Sequence, residues 1–269
     1  MTSSTQPGAS SFDDGAAYER FMGQWSRAVG SVFLEWVEAP KGARWLDVGC
    51  GTGAFTQLIL DTCAPSSIAA IDPSESQIAY ARGRPVAQRA QFLTGDAIAL
   101  PFADASFDVV ASALVINFVP DRPAALREMR RACVAGGIVA GYVWDFAQQR
   151  SPSWPMRQAL QEVGSAVADA PGTAQSTLTG LTDLFAQAGL THISTRSIEV
   201  TVSFANFDVF WQAQTPSYSE ITKTIAAMPD KLRAQLIEAV CAHLPLQADG
   251  RIQYASRANA VKARACASS

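Results

Sequence analysis

Histidine, paired cysteine and long apolar runs are what this chain has least of, and each shortage removes a class of function. Only two histidines, His192 and His243, occur among 269 residues. That is too few for a histidine-rich metal centre, and no metal site is expected. The five cysteines, Cys50, Cys63, Cys133, Cys241 and Cys266, form no C-x-x-C pair and are odd in number. They read as reduced thiols of a cytoplasmic protein rather than as a disulfide framework. No stretch reaches the ~18 consecutive apolar residues of a membrane helix, so no membrane span is expected. Residues 1–11 are polar, lack the apolar centre of a signal peptide, and read as a disordered tail. Charged residues are scarce at 17%, with a net charge of −3. Without a concentrated basic face, nucleic acid is not an expected partner. Arg127, Arg130 and Arg131 cluster, but they read as the solvated face of a helix.

What is present is a large apolar complement, 48% of the chain, enough for a substantial core. Apolar residues from Tyr18 to Trp36 recur at three- and four-residue steps, which predicts one helix ending at Pro40-Lys41-Gly42. Short apolar runs then alternate with helical segments. Strands are expected at Arg44–Val48, Ser67–Ile71, Gln91–Thr94, Phe107–Leu114 and Ile138–Trp144. Helices are expected at Ala54–Cys63, from Ser74 to about Arg82, and from Asp121 to near Val134. Gln148–Thr177 shows no clear period. Leu178–Ala188 reads as a helix stopped by Gly189, and His192–Phe204 and Arg251–Arg264 alternate as strands. The result is an α/β chain with a Rossmann-like, doubly wound, mostly parallel seven-stranded sheet. An antiparallel edge pair and helical cap insertions complete it. One domain over 12–269 is expected, with its core at 40–145, 178–204 and 250–265. The cap would come from 12–39, 146–177 and 205–249.

The run Trp45-Leu46-Asp47-Val48-Gly49-Cys50-Gly51-Thr52-Gly53 is the most informative stretch. It reads as a buried strand breaking into a glycine turn ahead of a helix, the arrangement that lays backbone amides against a nucleotide-like cofactor. Gly49, Gly51 and Ala54 also satisfy the G-x-G-x-x-G/A dinucleotide pattern. Asp47 separates the two readings. Its carboxylate would repel a pyrophosphate and attract a ligand carrying an ammonium group, as S-adenosylmethionine does. Further polar residues close successive strands: Asp72, placed to accept a ribose diol, Asp96, placed to accept from an adenine amine, and Asn117. Asp108 begins a strand and reads as structural.

Asp47-Val48-Gly49-Cys50-Gly51-Thr52-Gly53 resembles motif I of the class I S-adenosylmethionine-dependent methyltransferases. Leu100-Pro101-Phe102 through Phe107-Asp108 is similar to a stretch of the ubiquinone-biosynthesis-like, type 11 small-molecule methyltransferases. The resemblance runs from about Tyr18 to Trp144 and thins afterwards. It implies that Gly49, Gly51, Gly53, Asp72, Asp96, Ala97 and Asn117 contact S-adenosyl-L-methionine. Thr52, Pro73, Ser74 and Ile98 flank these positions and join them as candidates. Tyr18 and Trp25 read either as core or as a lid over the methionine end of the cofactor. The implied activity is methyl transfer to a small-molecule acceptor. An NAD-dependent oxidoreductase and a non-catalytic adenosylmethionine-binding protein stay open as alternatives. No base is implied by the resemblance; Asp145, His243 and Tyr218 are the side chains that could serve as one.

Overall fold

The computed structural model describes residues 15–165, 167–216, 219–245 and 247–266, with side chains from Met22 onward. The expected tail at 1–11, the Tyr18 side chain and Tyr218 lie outside the described residues. Helix α1 covers Gly15–Val37, followed by β1 (Arg44–Val48), α2 (Ala54–Thr62), β2 (Ser67–Asp72), α3 (Glu75–Arg82) and β3 (Gln91–Thr94). Then come β4 (Phe107–Ala113), α4 (Arg122–Ala132), β5 (Cys133–Trp144), α5 (Trp154–Glu162), α6 (Leu178–Gln187) and β6 (Thr191–Phe204). Helices α7 (Phe207–Gln214), α8 (Glu220–Ala226) and α9 (Asp230–His243) precede the last strand, β7 (Ile252–Arg264).

The seven strands form one sheet in the order β3-β2-β1-β4-β5-β7-β6. The first five strands are parallel, and β7 runs antiparallel to both β5 and β6. This is the doubly wound sheet with an antiparallel edge pair that the sequence predicts. The strand order reverses between β1 and β4, and ligands in such sheets bind beyond the carboxyl ends of the strands at that point.

Two apolar layers cover the sheet. Along β1, Trp45 faces one and Leu46 the other, as the two-residue period of a strand requires. Helix α1 buries Trp25, Val29 and Phe33 in the first layer, and Phe33 meets Tyr142 of β5 with ring centroids 4.7 Å apart. Lys262 of β7 closes the other end of α1. Its Nζ donates to the Trp36 carbonyl at 2.6 Å, placing a cation at the negative end of the helix. Helices α4 and α6 bury Leu126, Met129, Leu181 and Phe185 in the second layer.

The local stop signals act as predicted. Ser74 Oγ accepts from Gln77 N, and Asp121 Oδ1 accepts from Ala124 N at the start of α4. Gly189 takes φ 75° just past α6. Three details differ from expectation. The segment 148–177 holds α5, a nine-residue helix that follows Ser151-Pro152-Ser153 and is too short for its apolar period to show. Helix α4 stops at Ala132 because Cys133 already pairs with Phe107; the register shifts there before β5 resumes at Ile138. The arginine cluster is also no solvated face. Arg131 pairs with Glu128 and Asp104 and donates to the Leu100 and Phe102 carbonyls, while Arg130 reaches the Gly189 carbonyl. Only Arg127 is exposed. Among the described residues, no helix is long and apolar enough to cross a membrane, and no cluster of three or more His, Cys, Asp or Glu is placed to hold a metal ion.

Candidate functional site

The turn after β1 is built as one unit with the end of β2. Gly49 N and Cys50 N both donate to the Ile71 carbonyl, at 2.7 and 3.0 Å. Gly51 N donates to Asp72 Oδ2 at 2.9 Å, and Ser74 N donates to Asp72 Oδ1 at 3.0 Å. Each Asp72 oxygen keeps a second lone-pair direction, so a diol can still be accepted. Burial pushes the Asp72 carboxyl above its ordinary value, against the lowering effect of those two amides. The turn glycines serve different ends. A Cβ on Gly49 would stand 2.4 Å from the Val115 side chain, and one on Gly53 would stand 2.8 Å from the Phe92 ring. Those two are required by packing within the protein. At Gly51 a Cβ would meet only the tip of Gln77, at 3.0 Å.

Asp47 is fully buried. Its Oδ2 accepts from Thr56 Oγ1 of α2 at 2.6 Å, while its Oδ1 is buried with no partner among the described residues. Burial pushes its carboxyl up to about 7, helped by the nearby Asp72 and opposed by Thr56. A second acceptor in the same condition lies at the end of the neighbouring strand. Asn117, in the short turn after β4, is 2% exposed and donates from Nδ2 to the Pro171 carbonyl at 3.2 Å, yet its Oδ1 is buried and unpartnered. Leu114, the residue just after β4, holds φ 63°, a conformation costing an L-residue roughly 1–2 kcal/mol. That strained residue turns the chain so that Val115 covers Gly49.

Beyond β3, Asp96 is exposed and its Oδ1 accepts from Ile98 N at 3.1 Å. Ala97 is buried, and Ile98 is 42% exposed, a flat apolar surface beside a free carboxylate oxygen. Thr52 is buried within the turn, Pro73 is exposed and Ser74 half-buried at the start of α3.

Other candidates fall elsewhere. Trp25 is fully buried, its ring 5.0 Å from that of Tyr254 and 6.4 Å from that of Trp144. Asp145 follows β5 but is taken up by Arg257, whose Nε and Nη2 reach Oδ2 at 2.9 and 2.7 Å, and by Gln148 N on Oδ1. Both of its oxygens are thus engaged within the protein. His243 ends α9, with Nε2 2.8 Å from Glu162 Oε1 and its ring edge-on to Trp154. Asp108 clasps Arg44 through both oxygens, a structural brace between β4 and β1.

Thr56, Val115, Arg257 and Pro171 escape sequence reasoning. Thr56 alone carries a local signal, a hydroxyl in the first turn of the helix that follows the glycines.

Residues 46–141 match the family model of the methyltransferase domain, and over that stretch the chain carries such a domain. It is 37% identical over 139 residues to the malonyl-[acyl-carrier protein] O-methyltransferase of Erwinia pyrifoliae, covering 52% of this chain and 52% of that relative. It is 34% identical over 151 residues to the 2-phytyl-1,4-naphtoquinone methyltransferase of Thermosynechococcus vestitus, covering 54% of this chain and 64% of that protein. The chain thus spans about half to under two thirds of these relatives. Phosphoethanolamine N-methyltransferase 2 of Haemonchus contortus, solved with S-adenosyl-L-methionine, superposes at TM-score 0.57 and 18% identity, covering 94% of this chain and 57% of that one. The YcgJ protein of Bacillus subtilis superposes at TM-score 0.56 and 16% identity, covering 91% and 100%. These two likenesses establish the fold.

Proposed function

We propose that this chain transfers a methyl group from S-adenosyl-L-methionine to a small-molecule acceptor by in-line displacement. The observation that carries the reading is the pair of buried acceptors lacking donors, Asp47 Oδ1 and Asn117 Oδ1, at the ends of adjacent strands β1 and β4. Buried acceptors without donors are costly and call for donors from a ligand. An ammonium supplies them, whereas a dinucleotide pyrophosphate would bring charge of the wrong sign against Asp47.

In this reading Gly49, Gly51, Thr52 and Gly53 shape the turn that the cofactor lies along. Asp72 takes the ribose diol, with Pro73 and Ser74 fixing its backbone. Asp96 accepts from the adenine amine while Ala97 and Ile98 face the ring. When bound, S-adenosylmethionine supplies a methyl group already activated by its sulfonium; the protein aligns the partners and excludes water. We assign no base, since Asp145 is held by Arg257. The unpaired cysteine set leads us to place the reaction in the cytoplasm.

Calorimetry with adenosylhomocysteine, adenosylmethionine and NAD is the primary test. Saturable binding of the first two and none of NAD is expected; the reverse would make the chain an oxidoreductase. Turnover against a metabolite panel then separates an enzyme from a binding protein.

The buried Asp47 carboxyl gives the binding a pH signature. Since its value in the folded protein is about 7, protonation below that pH removes the charge that attracts the ammonium. Adenosylhomocysteine affinity should therefore rise with pH up to about 7, by as much as roughly tenfold per unit. The effect of Asp47 on ligand-free stability has the opposite sense: its contribution is full below the unfolded value of about 4 and is lost as pH climbs through about 7. A flat affinity profile in the native protein would remove Asp47 from the ammonium site.

The start of α1 supplies a further expectation. If Tyr18 and Trp25 close over the methionine end, backbone amides from Tyr18 to Arg27 should gain hydrogen-exchange protection when adenosylhomocysteine binds. Equal protection in both states would make this part of α1 ordinary core.

A further inference from the structure

A small cavity opens behind β5, outside the site described above. It measures about 30 Å³, and its walls include Phe146, Gln149, Arg157, Gln161, Val167 and Asp169. Arg157, on α5, is the cation of this wall. Its Nη1 donates to the Ala168 carbonyl at 3.1 Å. Its Nε is buried with no acceptor, and no carboxylate among the described residues comes within ion-pair distance of the guanidinium. A guanidinium offers two parallel N–H groups along its Nε–Nη2 edge, a fork that matches the two oxygens of a carboxylate. The water-sized space beside Arg157 is large enough to take the oxygens of a carboxylate.

Its position matters as much as its chemistry. One wall, Phe146, lies just past Trp144, the last residue of β5. The opposite wall includes Ala170, whose neighbour Pro171 accepts the Asn117 side-chain amide at 3.2 Å. A hydrogen bond of 3.0 Å from Ala147 N to Ser176 Oγ ties the two walls together. The cavity therefore adjoins the segments that follow the carboxyl ends of β4 and β5, with Phe146 and Val167 as its apolar lining.

We propose that this cavity holds the carboxylate of the methyl acceptor through Arg157, so that the acceptor is a small carboxylic acid bound by its acid group. The inference rests on the methyl-transfer reading for what lies beyond the carboxylate, but the anion site stands by itself. Asp169 is exposed at the rim and works against it. That carboxylate raises the proton affinity of Arg157, which burial lowers overall, and it repels an entering anion.

The test uses the full chain and the probes benzoate and benzamide, titrated by calorimetry or ligand-observed NMR with and without adenosylhomocysteine. Benzoate should bind roughly tenfold or more tightly than benzamide, as expected for charge-assisted hydrogen bonds. Arg157→Gln should erase that preference. Asp169→Asn should tighten benzoate several-fold and leave benzamide unchanged, a result that a purely structural role for Arg157 does not give. Adenosylhomocysteine affinity should be the same in both variants. Equal binding of the two probes, binding of neither, or a benzoate preference that survives Arg157→Gln overturns the proposal. If Arg157→Gln fails to fold, the Asp169→Asn result decides: unchanged benzoate affinity overturns the proposal. Loss of adenosylhomocysteine binding with the benzoate preference intact would instead count against methyl transfer and leave the carboxylate site standing.

Discussion

Gly51→Val is expected to fold and yet lose adenosylhomocysteine affinity by roughly a hundredfold or more, the equivalent of ~2.7 kcal/mol. Gly51 sits at φ 52°, in the left-handed region that a β-branched residue avoids. Holding valine there costs on the order of 1–3 kcal/mol. The added carbons meet only the Gln77 side-chain tip, 3.0 Å away, which can swing aside, so folding survives. What changes is the turn. It relaxes toward negative φ, draws the Gly51 amide off Asp72, and puts side-chain bulk where the cofactor must lie. Gly51→Ala should show a smaller loss in the same direction. Calorimetry with adenosylhomocysteine, beside circular dichroism to establish folding, reads the result. Affinity within a few-fold of the native protein would show that the turn does not touch the ligand.

Asp72→Ala carries the next largest effect. Charge-assisted hydrogen bonds to the ribose are worth about 1.5–3 kcal/mol, so affinity should fall about ten- to a hundredfold. A second effect accompanies it, because Asp72 is also the acceptor for Gly51 N and Ser74 N. Removing it leaves two amides short of a partner, and thermal stability of the ligand-free protein should drop by about 1–3 kcal/mol. Asp72→Asn keeps an acceptor oxygen and should recover part of the stability but little of the affinity. A folded Asp72→Ala protein that binds adenosylhomocysteine as the native chain does would release Asp72 from the ribose.

Local grammar explains why most of the architecture was readable in the sequence. A parallel strand buried on both faces is a short apolar run, and Ile68-Ala69-Ala70-Ile71 is such a run, closed by Asp72-Pro73, which turns the chain. Helices announce themselves by caps such as Ser74 and Asp121. The same grammar fails where pairing is distant. Nothing near Asp145 in the chain reports that Arg257, more than a hundred residues on, will hold its Oδ2 while Gln148 N takes Oδ1. Arg131 reads as a surface charge until the loop from Leu100 to Asp104 folds beneath it. Helix α5 is short, opens on Ser153-Trp154-Pro155, and shows too few turns for a period to emerge. At the site, Asp47 and the glycines were legible because their spacing is local. The left-handed Leu114, which seats Val115 on Gly49, was not, because leucine carries no signal for that conformation.

The insertion of β7 between β5 and β6 also sets the order in which the chain can fold. Strands β1 to β5 complete their mutual pairings within residues 44–144, whereas β6 has no partner in the sheet except β7, and β7 reaches β5 from more than a hundred residues away. Two exposed edges, one along β5 and one along fourteen residues of β6, must therefore wait for residues 252–264 to arrive. Pairings of such long sequence separation close slowly, and open edges of that length are templates for pairing with other chains. The docking of β7 is thus the step at which refolding and aggregation compete, and cutting the chain before Ile252 would leave both edges permanently open.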